Sequence, residues 1–299
     1  MTYSIVARCP DTGMLGIGIA TCLPGVGRVA RFLEPGVGVV ASQARLLPAH
    51  GTRVLDGLRR GLTPTAALAD SLDLDAGAAH RQVGVVAADG TTAAHTGDRC
   101  IPFASHVTGD GFTTQANMMV RPGVPEAMAE AFEDARGEHL AMRLLAALDA
   151  AESLGGDVRG RQSAALHVRR EQVTGDLLID GVVDVRVDDD PAPLGPLRRL
   201  VGLDLAHQEG SVAAESVEEG DLGAAEEHFR AATRLAPDDT QIAFWHAVTL
   251  AGAGHAAEAA AAWQVLAASG EPAPWLQLLE RMLHEDLVPP AAGSLLTGH

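Results

Sequence analysis

The sequence predicts an α+β layered domain followed by a small all-helical domain. Strand-like segments come first, helices follow, and strands then return, an order that favours a layered α+β domain over a strictly alternating βαβ one. After Pro191 the pattern becomes almost entirely helical and repeats with a period of 34 residues. We therefore predict a first domain over 1–203, a helical domain over 204–287 and a loose tail over 288–299.

The first domain opens with a predicted β-hairpin. An apolar-alternating run at 4–8 meets a turn signal at 10–13 and returns as a second strand at 15–20. Further strands are predicted at 37–42, 82–87, 91–95, 113–119, 164–169 and 177–187, and helical periodicity covers 49–72 and 124–153. Gly155 and Gly156 end the second helical stretch.

The helical domain is predicted from three residue pairs. Gly220 recurs as Gly254, Ala225 as Ala259 and Phe229 as Trp263, each pair 34 residues apart. This is the tetratricopeptide period, in which small residues allow close helix contact and an aromatic side chain fills the gap between helices. We predict a tetratricopeptide-like domain that could dock a protein partner through 204–287.

Charge argues against two classes of partner. The chain has 22 basic and 39 acidic residues, a net charge of −17. Residues 204–287 alone hold 15 acidic and 3 basic residues, a net charge of −12. Such a protein is repelled by nucleic acid and by anionic membrane surfaces. With no apolar run of membrane-spanning length and no signal-peptide pattern, we expect a cytoplasmic protein.

The residue types present also argue against several cofactors. The sequence contains no lysine, which excludes a Walker-type phosphate lysine, a Schiff-base lysine for pyridoxal phosphate and a lysine general base. The three cysteines lack metal-type spacing and are interpreted as reduced thiols. Asp188, Asp189 and Asp190 are interpreted as a solvated linker. We therefore expect neither a metal nor a cofactor.

Thr2 is the first candidate for chemistry. Methionine aminopeptidase removes Met1 readily when the second residue is small, and trimming here would leave a threonine with a free α-amine at the start of a strand. An α-amine has a pKa of about 7.7–8.0. It can therefore take the proton of its own hydroxyl, as in threonine N-terminal nucleophiles. The alternative is that a small second residue is common and carries no function.

The polar segment 155–163 is the second candidate, because it joins a helix to a strand. It can present Asp157, Arg161 and Ser163 at a sheet edge. A carboxylate can accept a hydrogen bond from a protonated α-amine, and arginine can hold a substrate carboxylate. From composition alone, a helix C-cap followed by a structural salt bridge is the favoured interpretation.

Three further residues are candidates for binding or catalysis. His95 and Arg99 lie in one polar segment with Cys100, and we interpret this cysteine as an inert thiol rather than a nucleophile. Asn117 ends a predicted strand, where its amide could donate a hydrogen bond to an oxyanion or could cap a turn.

Several motifs together resemble the family known as domain of unknown function 1028. The matching segments are 2–8, 10–13, 15–17, 82–86, 94–97 with Arg99 and Cys100, 115–118, 156–163 and 184–191. The resemblance covers about residues 1–203 and is most specific at 159–163. Members sometimes carry an additional C-terminal domain.

The resemblance implies a fold and a type of chemistry, but no established reaction. The family is placed in the N-terminal nucleophile (Ntn) hydrolase superfamily, which has a four-layer αββα sandwich and hydrolyses amide bonds. On that pattern Thr2 is the nucleophile, and Asp157, Arg161 and Ser163 support or orient it. Members often carry a lysine where this chain has Cys22, which puts a lysine-assisted mechanism in doubt and leaves the α-amine scheme.

Two hypotheses follow. In the first, the protein hydrolyses a small amide or related C–N bond. The catalytic centre would contain Thr2, Asp157, Ser163 and Asn117, and the substrate would be bound by Arg161, Arg99 or His95. In the second, the protein is a non-catalytic ligand-binding or scaffold protein whose helical repeats dock a partner. A homo-oligomer is expected in either case.

Overall fold

The protein, described here by a computed structural model, forms two compact units. They comprise residues 1–201 and 202–299. The structure describes residues 2–28, 32–172, 181–268, 270 and 273–296. No helix among these residues is both long enough and apolar enough to cross a membrane.

Strands and helices alternate in blocks along the first unit. Its strands are β1 Thr2–Arg8, β2 Leu15–Thr21, β3 Phe32–Glu34, β4 Gly38–Ala44, β5 Arg81–Ala87, β6 Thr92–Thr96, β7 Ser105–Gly109, β8 Phe112–Asn117, β9 Ser163–Arg169 and β10 Gly181–Val187. Its helices are α1 Ala49–Arg59, α2 Pro64–Asp73, α3 Val124–Asp134 and α4 Leu140–Ser153, and α5 Leu194–Glu219 begins within it.

The strands form two antiparallel sheets. Among the described residues, the larger sheet has the order β10-β9-β2-β1-β8-β7 and the smaller has the order β3-β4-β5-β6. The predicted first hairpin is confirmed, with Tyr3 opposite Ala20 and Arg8 opposite Leu15. β1 lies between β2 and β8, and Thr2 at its start is opposite Asn117 at the end of β8.

The sheets pack face to face. β1 contacts β4 and β5, and β8 contacts β5. Helices α1 and α2 cover the smaller sheet, while α3 and α4 cover the larger one. Apolar side chains from both sheets form the core between them, including Val6, Ile17 and Ile19 from one and Val39 and Val86 from the other. The predicted α+β domain followed by a helical region is confirmed.

Both long helical stretches are divided in the structure. Between α1 and α2, Gly61 takes a φ of +86°, and the Thr63 side chain caps the new helix by accepting from Ala66 N. Between α3 and α4, Gly137 takes a φ of +97°, and His139 caps α4. Apolar periodicity continued across both breaks, which is why the sequence suggested single stretches.

Two short strands, β3 and β7, were absent from the sequence prediction. The predicted strand at 177–187 is present from residue 181 onward, and residues 173–180 lie outside the described residues. The predicted strand at 113–119 ends at Asn117.

The second unit is helical. It contains the rest of α5, then α6 Leu222–Leu235, α7 Thr240–Gly252, α8 Ala256–Ala268 and α9 Ala273–His284. Ala225, Phe229, Ala259 and Trp263, four of the repeat positions, share one buried cluster. The two repeat glycines, Gly220 and Gly254, both take positive φ after a helix, so both repeat copies use glycine to leave the helix.

The C-terminal segment differs from the sequence prediction of a loose tail. Pro290–Leu296 form a 3-10 helix that buries Ala292 and Leu295. Both side chains belong to the same cluster as Phe229 and Trp263. Residues 297–299 lie outside the described residues.

Candidate active site

One end of the larger sheet collects polar side chains from neighbouring strands. Because neighbouring antiparallel strands run in opposite directions, the start of one strand meets the end of the next at the same sheet edge. Thr2 begins β1 opposite Asn117, and Ser163 begins β9 opposite Thr21, the last residue of β2. All four side chains are buried.

Thr2 is held on its side chain and its main chain. Its Oγ1 donates a hydrogen bond to Thr21 Oγ1 over 3.3 Å. Its carbonyl oxygen accepts from Asn117 Nδ2 and from Gln43 Nε2, each over 3.2 Å. The backbone at the candidate nucleophile is therefore fixed by two amide side chains, one from each sheet.

Gln82 connects these two amides. Its Oε1 accepts from Gln43 Nε2 over 2.7 Å and from Asn117 Nδ2 over 2.9 Å. Its own Nε2 donates to the carbonyl of Ala116 over 2.9 Å. Gln82 is completely buried, so these partners replace the water that its amide would otherwise bind.

The network continues along the face of β1 that points to the smaller sheet. Ser4 Oγ donates to Gln43 Oε1 over 2.7 Å and accepts from Gln115 Nε2 over 2.7 Å. Thr2 and Ser4 share this face because alternate residues of a strand point to the same side. We call the connected side chains of Ser4, Gln43, Gln82, Gln115 and Asn117, together with the Thr2 carbonyl, the amide cluster.

Asp157 supports the strand end next to Thr2. Its carboxylate accepts from the backbone N of Cys22 over 3.2 Å and from the backbone N of Arg159 over 2.9 Å. It also forms an ion pair with the Arg159 guanidinium over 3.1 Å. The buried carboxylate thereby holds the chain that follows Thr21, the hydrogen-bond partner of Thr2.

Ser163 and Cys22 belong to the same support. Ser163 Oγ accepts from Val26 N over 3.1 Å and donates to the carbonyl of Leu23, so it closes the loop after β2. Cys22 places its Sγ 3.5 Å from the carbonyl of Arg159.

The structure places Arg161 on the other side of β1. Its guanidinium is paired with Glu152 of α4, and Glu152 accepts from the Tyr3 hydroxyl over 2.5 Å. Tyr3 points toward the helices, since Thr2 and Ser4 point toward the smaller sheet. Burial and the Glu152 carboxylate raise the pKa of Tyr3 well above its ordinary value.

His95 and Arg99 are held to a different segment, the 78–80 turn. His95 Nε2 donates to the carbonyl of Ala78 over 3.0 Å, and Arg99 N donates to the carbonyl of Ala79 over 2.8 Å. Cys100 lies beside them, with its Sγ 3.3 Å from the Arg81 carbonyl, and burial raises the pKa of its thiol. A raised pKa disfavours the thiolate, in keeping with an inert cysteine.

Sequence reasoning therefore selected Thr2, Asn117, Asp157 and Ser163 at one sheet end, but did not find Gln43 and Gln82 as part of the site. Both are uncharged polar residues near the ends of mainly apolar strands, a pattern that distinguishes them from their neighbours but does not show that they lie near Thr2. Asn117 was expected to serve an oxyanion or a turn. In the structure its Nδ2 donates to the Thr2 carbonyl and to Gln82 Oε1; its service to an oxyanion stays a prediction.

Comparison with known proteins covers the first unit. A family model described as a family of unknown function, DUF1028, matches residues 2–197. Two chains of solved structures match, and one of them is protein SPO2555 from Silicibacter pomeroyi, which is described by the same family model. That chain is 34% identical, with a TM-score of 0.59, and the alignment covers 67% of this chain and 87% of that one.

No curated protein matches the sequence. The family match extends over well more than half of the chain and includes Thr2, the amide cluster and the 155–163 segment. The chain belongs to the DUF1028 family.

Proposed function

We propose that the first unit is an Ntn-type hydrolase that cleaves a small amide or related C–N bond, with Thr2 as nucleophile after removal of Met1. The observation that carries the proposal is the position of Thr2. It begins a central strand of the larger sheet, and its carbonyl is fixed by Gln43 and Asn117. A nucleophile needs such a fixed main chain, because small misplacements of reacting atoms cost much of the rate.

The packing order gives further support. Helices, the larger sheet, the smaller sheet and helices follow one another through the first unit, which is the layer order of the αββα sandwich that the family resemblance implies. The polar residues of the Thr2 site collect at one end between the sheets. Fold alone does not establish activity, so the proposal depends on the chemistry at Thr2.

The proposed reaction has two steps. The Thr2 α-amine takes the proton of Oγ1, Oγ1 attacks the substrate carbonyl carbon, and the C–N bond breaks as the departing nitrogen receives that proton. The product stays bound to Thr2 as an ester. Water then adds to the ester carbonyl, the C–O bond breaks, and a carboxylic acid leaves while the Thr2 hydroxyl is restored.

The surrounding residues are proposed to position these groups. Asn117 fixes the Thr2 carbonyl, Asp157 fixes the chain after Thr21, and Ser163 closes the adjacent loop. Backbone N–H groups at the sheet end are proposed to stabilise the oxyanion. Arg161 forms an ion pair with Glu152. It would bind a substrate carboxylate only if that carboxylate replaced Glu152.

The test begins with the intact mass of the purified, untagged protein. The proposal expects a mass lower by one methionine, followed by a covalent adduct with a β-lactone probe that maps to the N-terminal peptide. Thr2→Ser should keep the adduct and Thr2→Ala should lose it. Thr52→Ala is the matched control, because Thr52 is an exposed residue on α1. Retention of Met1, or an undiminished adduct in Thr2→Ala, would refute the proposal.

A second candidate function has its own observation, in the second unit. A cavity of about 830 Å³ lies between α6, α7 and α8 and is lined mostly by apolar side chains. Its lining balances Glu226 and Glu258 against Arg230 and Arg234, so the net charge of −12 over 204–287 comes from residues outside the cavity, and we propose that these attract a basic partner segment. Titration with an arginine-rich peptide and its glutamate-substituted counterpart tests this, since only the basic peptide should bind.

A further inference from the structure

The first unit contains a cavity at the opposite end of β1 from Thr2. Its volume is about 550 Å³, and Arg8 and the turn after it form one wall. The segment that leads into α4, from Arg136 to Arg143, forms another wall. Six residue steps separate Thr2 from Arg8, which places this cavity about 20 Å from the candidate nucleophile along the strand.

The floor of the cavity carries a buried guanidinium. Arg143 is only 6% exposed. Its Nε donates to the carbonyl of Phe132 over 3.3 Å, and its guanidinium carbon lies 3.9 Å from the centre of the Phe132 ring. Throughout the described part of the chain, no carboxylate lies within ion-pair distance of Arg143. A buried charge without a counter-ion is costly, and burial accordingly lowers the pKa of Arg143.

A second arginine lines the same cavity. Arg8 is half-buried, and within the described residues its Nε is a buried nitrogen without a hydrogen-bond partner. Its terminal nitrogen approaches Glu171 at 3.7 Å. The first N–H groups of α4 are already used, since Ala141, Met142 and Arg143 all donate to His139. The cavity therefore offers two guanidinium groups to an anionic group.

The rim of the cavity has the opposite charge. Asp11, Asp89, Asp110 and Glu138 line it, and all four are exposed. Arg136 is the exposed basic residue on the same rim. The walls include the apolar side chains of Met14 and Leu140. A ligand with several negative charges would be repelled at the rim, whereas one with a negative end and a positive end matches both regions.

We propose that this cavity binds a free α-amino acid with an apolar side chain. The ligand carboxylate pairs with Arg143 at the floor and with Arg8 on the adjoining wall. The ligand ammonium group lies among the rim carboxylates. The ligand side chain lies against Met14 and Leu140. Arginine suits this role because its guanidinium can bind a carboxylate through two parallel hydrogen bonds. The site does not involve Thr2, so the inference stands independently of the proposed hydrolase activity.

Calorimetric titration of the full-length protein tests the proposal. L-leucine, L-methionine and L-phenylalanine are the probes, and isoamylamine and 4-methylpentanoate are the matched analogues of leucine that lack the carboxylate or the ammonium group. At least one amino acid should bind at millimolar or lower concentration, and both analogues of leucine should bind more weakly than leucine, on the order of tenfold or more.

Variants locate the binding. Arg143→Met and Arg8→Gln should each weaken amino-acid binding on the order of tenfold or more. The control Arg198→Gln removes an exposed arginine paired with Asp149 and should bind as the wild type does, as should Thr2→Ala. If circular dichroism shows that Arg143→Met is unfolded, Arg8→Gln decides. Absence of binding by all three amino acids, or unchanged affinity in a folded arginine variant, overturns the proposal.

Discussion

Replacement of Gln82 by leucine removes the centre of the amide cluster while keeping a side chain of similar length. In the wild-type protein Gln82 Oε1 accepts from Gln43 over 2.7 Å and from Asn117 over 2.9 Å. In Gln82→Leu, Asn117 Nδ2 keeps the Thr2 carbonyl but loses this acceptor, whereas Gln43 Nε2 still donates to the carbonyls of Thr2 and Gln115. One buried donor left unsatisfied costs about 1–3 kcal/mol, so we expect the free energy of unfolding to fall by roughly that amount.

Hydrogen exchange followed by mass spectrometry is the suitable assay, because the protein has two units and one overall melting curve would mix them. Peptides from β1 and β5 report on the sheets that Gln82 joins. The matched control is Gln162→Leu, which removes a hydrogen bond from a partly exposed glutamine to Asp189 and should change stability by less than about 0.5 kcal/mol. If Gln82→Leu changes the exchange of these peptides no more than the control does, the amide cluster does not hold the sheets together as argued.

Three other perturbations follow from the structure. The Arg81 hydrogen bond holds the pKa of Asp75 below its ordinary value of 3.8, so the stabilisation from this ion pair is complete above about pH 3.8 and is lost at lower pH. Asp75→Asn should lower the stability of the first unit at neutral pH and weaken its acid dependence, measured by hydrogen exchange of peptides from α2 and β5. Burial lowers the pKa of His246 from 6.5 to about 4, so the second unit should lose stability as the pH falls through this interval. Fluorescence of the three tryptophans, which all lie in this unit, measures the loss. His246→Phe should remove it. Gly84→Ala would place a Cβ inside van der Waals contact distance of Gln115 Oε1. Because the buried network has no room to move, the substitution should lower the stability of the first unit by about 1–3 kcal/mol, measured by hydrogen exchange of peptides from β5.

The elements of the first unit that could be predicted from sequence are those determined locally. The first hairpin follows from alternation around the Pro10 turn, and the end of α4 follows from Gly155 and Gly156, which both take positive φ. The breaks at Gly61 and Gly137 were missed, although both glycines were visible. Apolar periodicity continued on either side of them, and periodicity does not distinguish one long helix from two shorter ones.

The candidate site was predictable only in part, since it is assembled by strand pairing. Thr2 could be selected from its own chemistry, and Asn117, Asp157 and Ser163 from the local patterns around them. Gln43 could not, because its contact with Thr2 spans 41 residues of sequence and depends on how the two sheets pack.

The sequence by itself determined the order of the elements, the repeat in the helical unit, the acidic charge and a threonine at position 2. The tertiary structure decided which polar residues meet. It placed Gln43 against Thr2, and Gln82 against Gln43 and Asn117. It placed Arg161 on the opposite face of β1, and His95 and Arg99 at another turn. The physical reason is that alternate residues of a strand face opposite sides of the sheet, whereas the register of the strand decides which residues are neighbours. Register is set by burial of the whole sheet rather than by any local segment.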